Sequence, residues 1–263
     1  MTLPPGVYTS KKKDGTIYYR ASITYKNKHI SLGSFLKESD AAKTYLDAQK
    51  VIKSHYEIED YNNDFRLSFG KFICLLNFKN SGIYFKNPVY LLPKFFLYYF
   101  SPHEIFMFDK EDLFYYGTHK IQKRGGYLFV CDYGSQYGIL SRYGIQPFSV
   151  KGRDYIFVNQ NDHDYRYENI KVINHYMGVT QKSHKNKPMY EAVIHIKGNY
   201  VIGKYPDEIS AAIAYNKAVD TLQANGFKKR YIKNYIEKLD RDAYQQCYDS
   251  LSISKKLENL KPN

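Results

Sequence analysis

Side chains that could bind a metal ion or transfer a proton are concentrated in the stretch IFVNQNDHDYRYENIKVINH. Asp162, His163 and Asp164 are consecutive, and His175 with Asn169 could form a further metal site. A bound metal ion lowers the pKa of a water molecule and so produces a nucleophile that can hydrolyse a phosphodiester. Residue types alone do not make a site, so the elements that position these side chains decide the question.

The net charge of +13 is confined to two segments on either side of this stretch. Residues 1–56 carry 10 Lys and Arg against 4 Asp and Glu, a net charge of +6, and residues 171–239 carry 12 against 5, a net charge of +7. Residues 57–170 balance 13 against 13, and residues 240–263 balance 4 against 4. Such a distribution predicts a polyanionic partner, with a basic surface that serves only solubility as the alternative.

The two basic segments are also copies of each other. The first copy reads GVYTSKKKDGTIYYRASITYKNKHISLGSFLKESDAAKTYLDAQKVI, and the second reads GVTQKSHKNKPMYEAVIHIKGNYVIGKYPDEISAAIAYNKAVDTL. Identical residues recur at a nearly constant offset of 170 to 172, and the slip from 171 to 170 is placed in a hairpin. The matched positions are Gly6 and Gly178, Ala21 and Ala192, Ile23 and Ile194, Gly33 and Gly203, Ala41 and Ala211, Ala42 and Ala212, and Tyr45 and Tyr215.

Each copy predicts a three-stranded antiparallel sheet with one helix across it. Residues 19–25 alternate with period two, residues 26–28 form a turn, and residues 29–32 form the return strand. Ser39 is expected to cap a helix whose apolar positions recur at helical spacing up to Ile52. In the second copy Pro206 and Asp207 begin the helix, and Asn225-Gly226 ends it.

A helix that covers one face of a sheet leaves the other face free. Polar and basic side chains are expected on this face, because Ala21, Ile23, Ala192 and Ile194 point to the helix. The expected outer residues are Arg20, Ser22, Thr24 and Lys26 in the first copy, and Glu191, Val193, His195 and Lys197 in the second. Donors that reach base edges, with cations beside them for phosphates, are what readout of the major groove requires.

Both copies resemble the DNA-binding domain of the plant ethylene-response factors, the APETALA family. The shared motifs are an opening Gly-Val, an Ala-x-Ile strand, a Gly two residues before an aromatic and an Ala-Ala-x-x-Tyr helix. The resemblance implies that the sheet, and not the helix, enters the major groove. This chain contains no Trp, whereas the plant domains use arginines and tryptophans on that face, so the plant target sequence does not carry over.

The stretch between the copies resembles the end of an HNH endonuclease core, which often accompanies such domains in bacterial and phage proteins. Residues 164–170, DYRYENI, match a pattern of the form NRxENL, and Asn159-Gln160-Asn161 loosely matches the preceding Asp-Gly-Asn turn. The two histidine positions are occupied by Ile156 and Phe157, which can neither accept a proton nor hold a metal. The resemblance, extended upstream to residue 125, implies a ββα-metal-like fold without its catalytic centre, in which Arg166 and Asn169 anchor the hairpin to the helix.

The remaining segments give less specific signals. Residues 57–124 are rich in Tyr and Phe, which could stack on bases but are better interpreted as core in an additional α/β piece or as a dimer contact. Residues 228–254 predict a helix whose stripe of Ile232, Tyr235, Ile236 and Leu239 packs on the second copy. Cys74, Cys131 and Cys247 fit neither a disulfide framework nor a zinc site. The sequence predicts neither a membrane span nor a signal peptide, and a cytoplasmic location is therefore expected.

The predicted fold is α+β: two small domains, each a three-stranded antiparallel sheet plus a helix, flank a central ββα-metal (HNH)-like α+β domain, with a C-terminal helix. The predicted segments are 1–56, 57–124, 125–176, 177–227 and 228–263.

The predicted function is sequence-specific binding of double-stranded DNA by a catalytically inactive transcription regulator of a bacterium, phage or mobile element. A metal-dependent endonuclease and an architectural protein that bridges DNA are the alternatives. No cofactor, metal or catalytic residue is predicted, and a homodimer could form through the aromatic-rich region. The expected DNA-binding residues are Tyr8, Ser10, Lys11, Lys12, Lys13, Arg20, Ser22, Thr24, Lys26, His29, Ser31, Thr180, Lys182, Lys185, Lys187, Glu191, Val193, His195, Lys197, Lys228, Lys229 and Arg230.

Overall fold

The computed structural model describes residues 3–184 and 187–262 and has a mixed α+β fold. The chain forms two compact units, Met1–Tyr137 with Asn161–Tyr167, and Gly138–Gln160 with Glu168–Asn263. The boundaries between them lie within the predicted segment 125–176, whose residues are therefore shared between the two units. Among the described residues, no helix has the length and apolar character that crossing a bilayer requires.

The first repeat folds as its sequence predicts. Strands β1 (Val7–Lys11), β2 (Ile17–Tyr25) and β3 (Lys28–Phe35) form an antiparallel sheet in that order, and helix α1 (Glu38–Lys53) packs across it. Lys26 and Asn27 have φ angles of 45° and 60°, as a two-residue turn between twisted strands requires.

The predicted cap of helix α1 is wrong. The helix begins at Glu38 with Lys37 at the N-cap position, so Ser39 lies inside the first turn. Glu38 and Asp40 place two carboxylates in this turn, where they interact favourably with the helix dipole without a side-chain cap.

The first repeat shares its core with the segment that follows it. Helix α1 lies between the sheet and helix α2 (Phe69–Ser81), and one apolar cluster extends from Ile23 and Ile30 to Phe72 and Leu76. The buried Asp47 carboxylate accepts hydrogen bonds from the backbone N–H groups of residues 66 and 67, at 2.6 and 3.2 Å. The predicted boundary at residue 56 therefore separates residues that fold together.

The rest of the first unit consists of two small sheets and a short helix. They are β4 (Val89–Leu91), β5 (Phe95–Ser101) and β6 (Glu104–Asp109), then α3 (Leu113–Thr118), then β7 (Gln122–Arg124), β8 (Tyr127–Asp132) and β9 (Ser135–Gly138). Many aromatic side chains of residues 57–124 are in the interior, with Phe96, Phe108 and Tyr116 all fully buried. This agrees with the interpretation of these rings as core, and the homodimer stays a prediction.

The second unit contains the second repeat. A short hairpin, β10 (Tyr155–Phe157) with β11 (Ile170–Val172), precedes the sheet of β12 (Val179–His184), β13 (Lys187–His195) and β14 (Asn199–Tyr205). Helix α4 (Glu208–Ala224) begins after Asp207, whose carboxylate accepts the N–H of Ser210 at 2.8 Å, and ends at Asn225, as predicted. Helices α5 (Arg241–Ser250) and α6 (Lys255–Glu258) then pack against α4.

The two sheets share a bulge at the same place. The strand register shifts between Ala21 and Ser22 in the first sheet, and between Ala192 and Val193 in the second. The N–H beyond each bulge donates to the carbonyl of the opening glycine, Gly6 or Gly178, at 2.9 and 2.7 Å. The sequence repeat is therefore also a structural repeat, including its irregularity.

The predicted helix from residue 228 to residue 254 is wrong in its first half. Residues up to 240 are not helical, and α5 begins at Arg241. Asn234 holds this part extended, because its backbone and side chain exchange hydrogen bonds with Asn216 and with the backbone of Met177. Of the predicted stripe, Ile236 and Leu239 pack on the second repeat, whereas Ile232 and Tyr235 are 70% and 85% exposed.

The segment from residue 125 to residue 176 lacks the α-helix of a ββα-metal fold. Strands β8 and β9 and the hairpin of β10 and β11 supply β-structure, and 3₁₀ turns occupy Ile139–Tyr143 and Tyr167–Asn169. The expectation of a hairpin followed by an α-helix is therefore not met. The physical reason is that the residues after β10 form β-structure instead. Asp164 bridges to Met107 of β6, and Ile170–Val172 form β11, which pairs with β10.

Candidate nucleic-acid interface

The outer face of the first sheet is lined by polar side chains that face away from α1. Cross-strand pairing places Tyr8, Arg20 and Ser34 in one row, and Thr24 opposite His29 in another. The alternate residues fill the core, where Ile23, Ile30 and Leu32 are buried. The period of two along each strand therefore separates an apolar face from a face of hydrogen-bonding groups.

A groove of about 390 Å³ runs across this face, with Arg20 and Tyr8 on its walls. Ser10, His29 and Ser31, which are among the expected DNA-binding residues, also line it, and Ser22 lies in it with 7% exposure. The sequence predicts an exposed Ser22, but the bulge places it opposite Ser31 at the bottom of the groove. A ligand that reaches Ser22 must therefore enter the groove.

The lysines predicted around the first face lie in two different environments. Lys11, Lys12 and Lys13 are exposed at the end of β1 and in the following turn, where they are accessible to phosphate. Lys26 departs from the expected arrangement, because its ammonium lies 5.3 Å from the centre of the Tyr25 ring and 3.4 Å from the carbonyl oxygen of Lys79. This lysine interacts with the end of α2 and not with the outer face.

The outer face of the second sheet combines cations with one acidic and several apolar side chains. Thr180, Glu191 and Lys204 form one cross-strand row, and Val193 lies opposite Val201. The Nδ1 atom of His195, in the row nearest the β13–β14 turn, is 2.9 Å from Oδ1 of Asn199. Lys182, Lys187 and Lys197 are exposed around this face, and Lys185 lies outside the described residues.

The core behind this face holds Tyr205 and Tyr215. Burial raises the pKa of each phenol to about 12, so both remain uncharged at neutral pH. Neither phenol therefore places a negative charge behind this face.

The basic triplet after α4 reaches the end of the second sheet. Lys228, Lys229 and Arg230 are exposed, and the Lys229 ammonium donates a hydrogen bond to the carbonyl of His195 at 2.8 Å. The same ammonium lies 5.0 Å from the centre of the Tyr231 ring. The triplet thus adds positive charge to the edge of the second face that bears His195.

Sequence reasoning missed several members of both faces. Tyr18 and Ser34 belong to the first face, and Met189, Asn199, Val201 and Lys204 belong to the second. Alternation along β2 points to Tyr18, and pairing across the hairpins points to the others. The bulge shifts the register of β3 and β14, and neither strand carries a sequence pattern that predicts it.

No protein-family model matches the chain, and no curated protein or solved structure is significantly similar to it. The interface is therefore defined by the geometry and chemistry of its own residues.

The nuclease-like residues of the second unit have structural roles. Phe157 is buried and Ile156 pairs with Lys171 across the hairpin. The side-chain oxygen of Asn169 accepts the N–H of Asn159 at 2.8 Å, and its carbonyl accepts the N–H of residue 158 at 2.7 Å. Asn169 thus closes the hairpin on itself, whereas the sequence predicted that it anchors the hairpin to a helix.

Residues 161–167 lie along β6 of the first unit and pair with it through one isolated parallel bridge, between Asp164 and Met107. Met107 of β6 donates to the carbonyl of His163 at 2.9 Å and accepts from the N–H of Tyr165 at 2.8 Å. Asp164 is buried and receives two hydrogen bonds from the Arg166 guanidinium at 2.8 and 2.9 Å, and the His163 ring packs edge-on against Phe106. These contacts hold the segment against β6.

His175, the other residue considered for a metal site, pairs with Glu208 at the start of α4. Its Nδ1 atom lies 3.1 Å from the carboxylate, and its N–H donates to the same group at 2.8 Å. Within the part of the chain that the structure describes, no group of three or more His, Cys, Asp or Glu residues is arranged to hold a metal ion.

Proposed function

We propose that this chain is a sequence-specific double-stranded-DNA-binding protein whose two outer sheet faces enter the major groove. The observation that carries this proposal is the layering of each repeat. In each repeat the helix packs against the sheet and against a following segment, whereas the outer sheet face presents polar and cationic side chains. In α4 all residues from Ala211 to Asn216 are buried, and a helix in that position is not accessible to DNA.

The charge distribution supports a polyanionic partner for both faces. Residues 1–56 and 171–239 together carry the whole excess of +13, and these are the segments that contain the two sheets. Lysines beside each face can neutralise phosphates, while Arg20, Thr24, His29 and Glu191 can hydrogen-bond to base edges.

The resemblance to the APETALA domains supports the same mode of binding, in which a three-stranded sheet reads the groove. A chain with two such sheets fits a transcription regulator of a bacterium, phage or mobile element. The absence of Trp requires that this protein reads its site with other side chains.

The proposal includes that the protein does not cleave DNA. It rests on Ile156 and Phe157 at the two positions where an HNH core needs histidines. Cleavage of plasmid DNA with magnesium, manganese, zinc or nickel, lost on His163→Ala or His175→Ala, would contradict it.

Selection of bound duplexes from a random pool tests the function directly. We expect the full-length protein to enrich one sequence motif, because hydrogen bonds to base edges discriminate between base pairs, by about 1–3 kcal/mol for each good contact. Enrichment is measured by sequencing after several rounds at physiological salt. Retention of duplexes without an enriched motif would instead support an architectural protein.

A further inference from the structure

One cross-strand pair occupies the same place in both repeats but differs in chemistry between the two faces. Directly after the shared bulge, the first sheet pairs Ser22 with Ser31, and the second sheet pairs Val193 with Val201. The two pairs occupy the same place in the repeat, because each follows the alanine that lies opposite Gly33 or Gly203.

The two valines are not part of the core of the second unit. Their neighbours Ile194 and Ile202 point to the helix and are buried, with exposures of 0% and 1%, whereas Val201 is 50% exposed on the opposite side. This pair does not contribute to the folded core, so its side chains are available to contact a ligand on the outer face.

Lysines lie near the Val201 side of this pair. Val201 lines a groove of about 620 Å³ together with Lys197, Ser254 and Lys256, and the Lys256 ammonium lies 5.3 Å from the centre of the Tyr200 ring. Lys204 lies on the same strand and the same face, in the row of Glu191. An apolar strip between lysines is complementary to the major groove, in which base edges lie between two lines of phosphates.

The apolar group that the major groove offers is the C5 methyl of thymine. We propose that Val193 and Val201 contact thymine methyl groups. The half-site of the second sheet then contains thymine, whereas the half-site of the first sheet presents hydrogen-bonding groups to Ser22 and Ser31. This inference rests on the proposed function and deepens it, because it names the base that one face selects.

Replacement of thymine by deoxyuridine removes that methyl group and leaves every hydrogen bond of the base pair in place. The full-length protein is titrated with the duplex enriched by selection and with duplexes that carry deoxyuridine in one half-site at a time. We expect deoxyuridine in the half-site of the second sheet to lower the affinity roughly threefold to fivefold for each methyl that a valine contacts. This is the factor expected when one methyl-sized group is no longer buried.

Two matched variants assign this effect to the valine pair. Val193→Ser with Val201→Ser copies the chemistry of the first sheet, which the same fold tolerates, and should bind thymine and deoxyuridine duplexes equally. Val150→Ser with Val158→Ser changes two valines of the same unit that are 49% and 58% exposed outside the sheet. This control should keep the full preference for thymine.

The outcomes separate this inference from the proposed function. The inference is overturned, and the proposed function stands, in either of two cases. One is specific binding with equal affinity for thymine and deoxyuridine duplexes, and the other is a thymine preference that survives in the Val193→Ser, Val201→Ser protein. Failure to bind any duplex overturns both, and would leave a protein partner as the occupant of the apolar strip.

Discussion

Arg20 is the residue of the first face best suited to read a base. It is exposed in the middle of β2, in one row with Tyr8 and Ser34, on the wall of the groove. A guanidinium can donate two parallel hydrogen bonds to O6 and N7 of guanine, which is the commonest specific contact in the major groove. Lys26, by contrast, directs its ammonium to the carbonyl of Lys79 and is a poor candidate for any contact with DNA.

We expect Arg20→Ala to weaken binding to the selected duplex by about 1–3 kcal/mol and to relax preference at one base pair. The matched control is Lys12→Ala, since Lys12 is exposed in the β1–β2 turn, where we expect a phosphate contact, so all sequences should weaken alike. The measurement is a titration against the selected duplex and its single-base-pair variants. Equal losses on every duplex for Arg20→Ala would show that Arg20 contacts phosphate as well.

At the scale of the element, the two sheets depend on the glycine that opens each repeat. Gly6 and Gly178 both have a φ of 71°, and a Cβ at either position would overlap the ring of the helix tyrosine, Tyr45 or Tyr215. The carbonyl of each glycine accepts the N–H beyond the bulge. The Gly-Val motif is therefore required by the close approach of strand, bulge and helix.

Gly6→Ala should destabilise the first unit by about 2 kcal/mol or more, because a left-handed backbone and an overpacked contact both cost free energy. A Cβ at Gly6 would also lie 2.7 Å from the carbonyl oxygen of Ser22. Gly82→Ala is the control, since Gly82 has a φ of 74° with open space around it and carries the backbone cost alone. Urea unfolding of the parent protein and both variants measures the difference, and equal losses for the two variants would refute the role of the contact.

The sequence predicted the elements of the repeats well, because strand alternation and the helix N-cap are both patterns of neighbouring residues. Period-two alternation located β2 and β13, and Asp207 located the start of α4. The failures involve partners distant in sequence: Asn234 binds Asn216 and prevents a helix, and residues 161–167 pair with β6. Of the candidate interface, the alternating side chains of the middle strands were predictable, whereas Lys204 and Val201 required the register of β14.

At the scale of the whole molecule, the chain carries two basic sheets in two separate compact units. Covalent linkage raises the effective concentration of the second face once the first is bound, so the pair should bind more tightly than either face alone. Since the outer faces differ in their central pair, the bound site should contain two unlike halves.

The salt dependence of binding should depend on which lysines contact phosphates and not on the net charge of the chain. Each phosphate that a lysine neutralises contributes about −0.9 to the slope of log affinity against log salt. Replacement of Lys11, Lys12 and Lys13 by Ala should make the slope shallower by up to about 2.7, if each of these lysines neutralises one phosphate.

Replacement of Lys86, Lys94 and Lys110 by Ala removes the same charge from exposed positions of the electrically neutral segment 57–170 and should leave the slope unchanged. The slopes are measured with the selected duplex between roughly 50 and 200 mM salt, a range over which a protein that neutralises several phosphates loses about three orders of magnitude or more in affinity. If both triple variants shift the slope equally, net charge alone governs binding, and the two sheet faces are not where the phosphates lie.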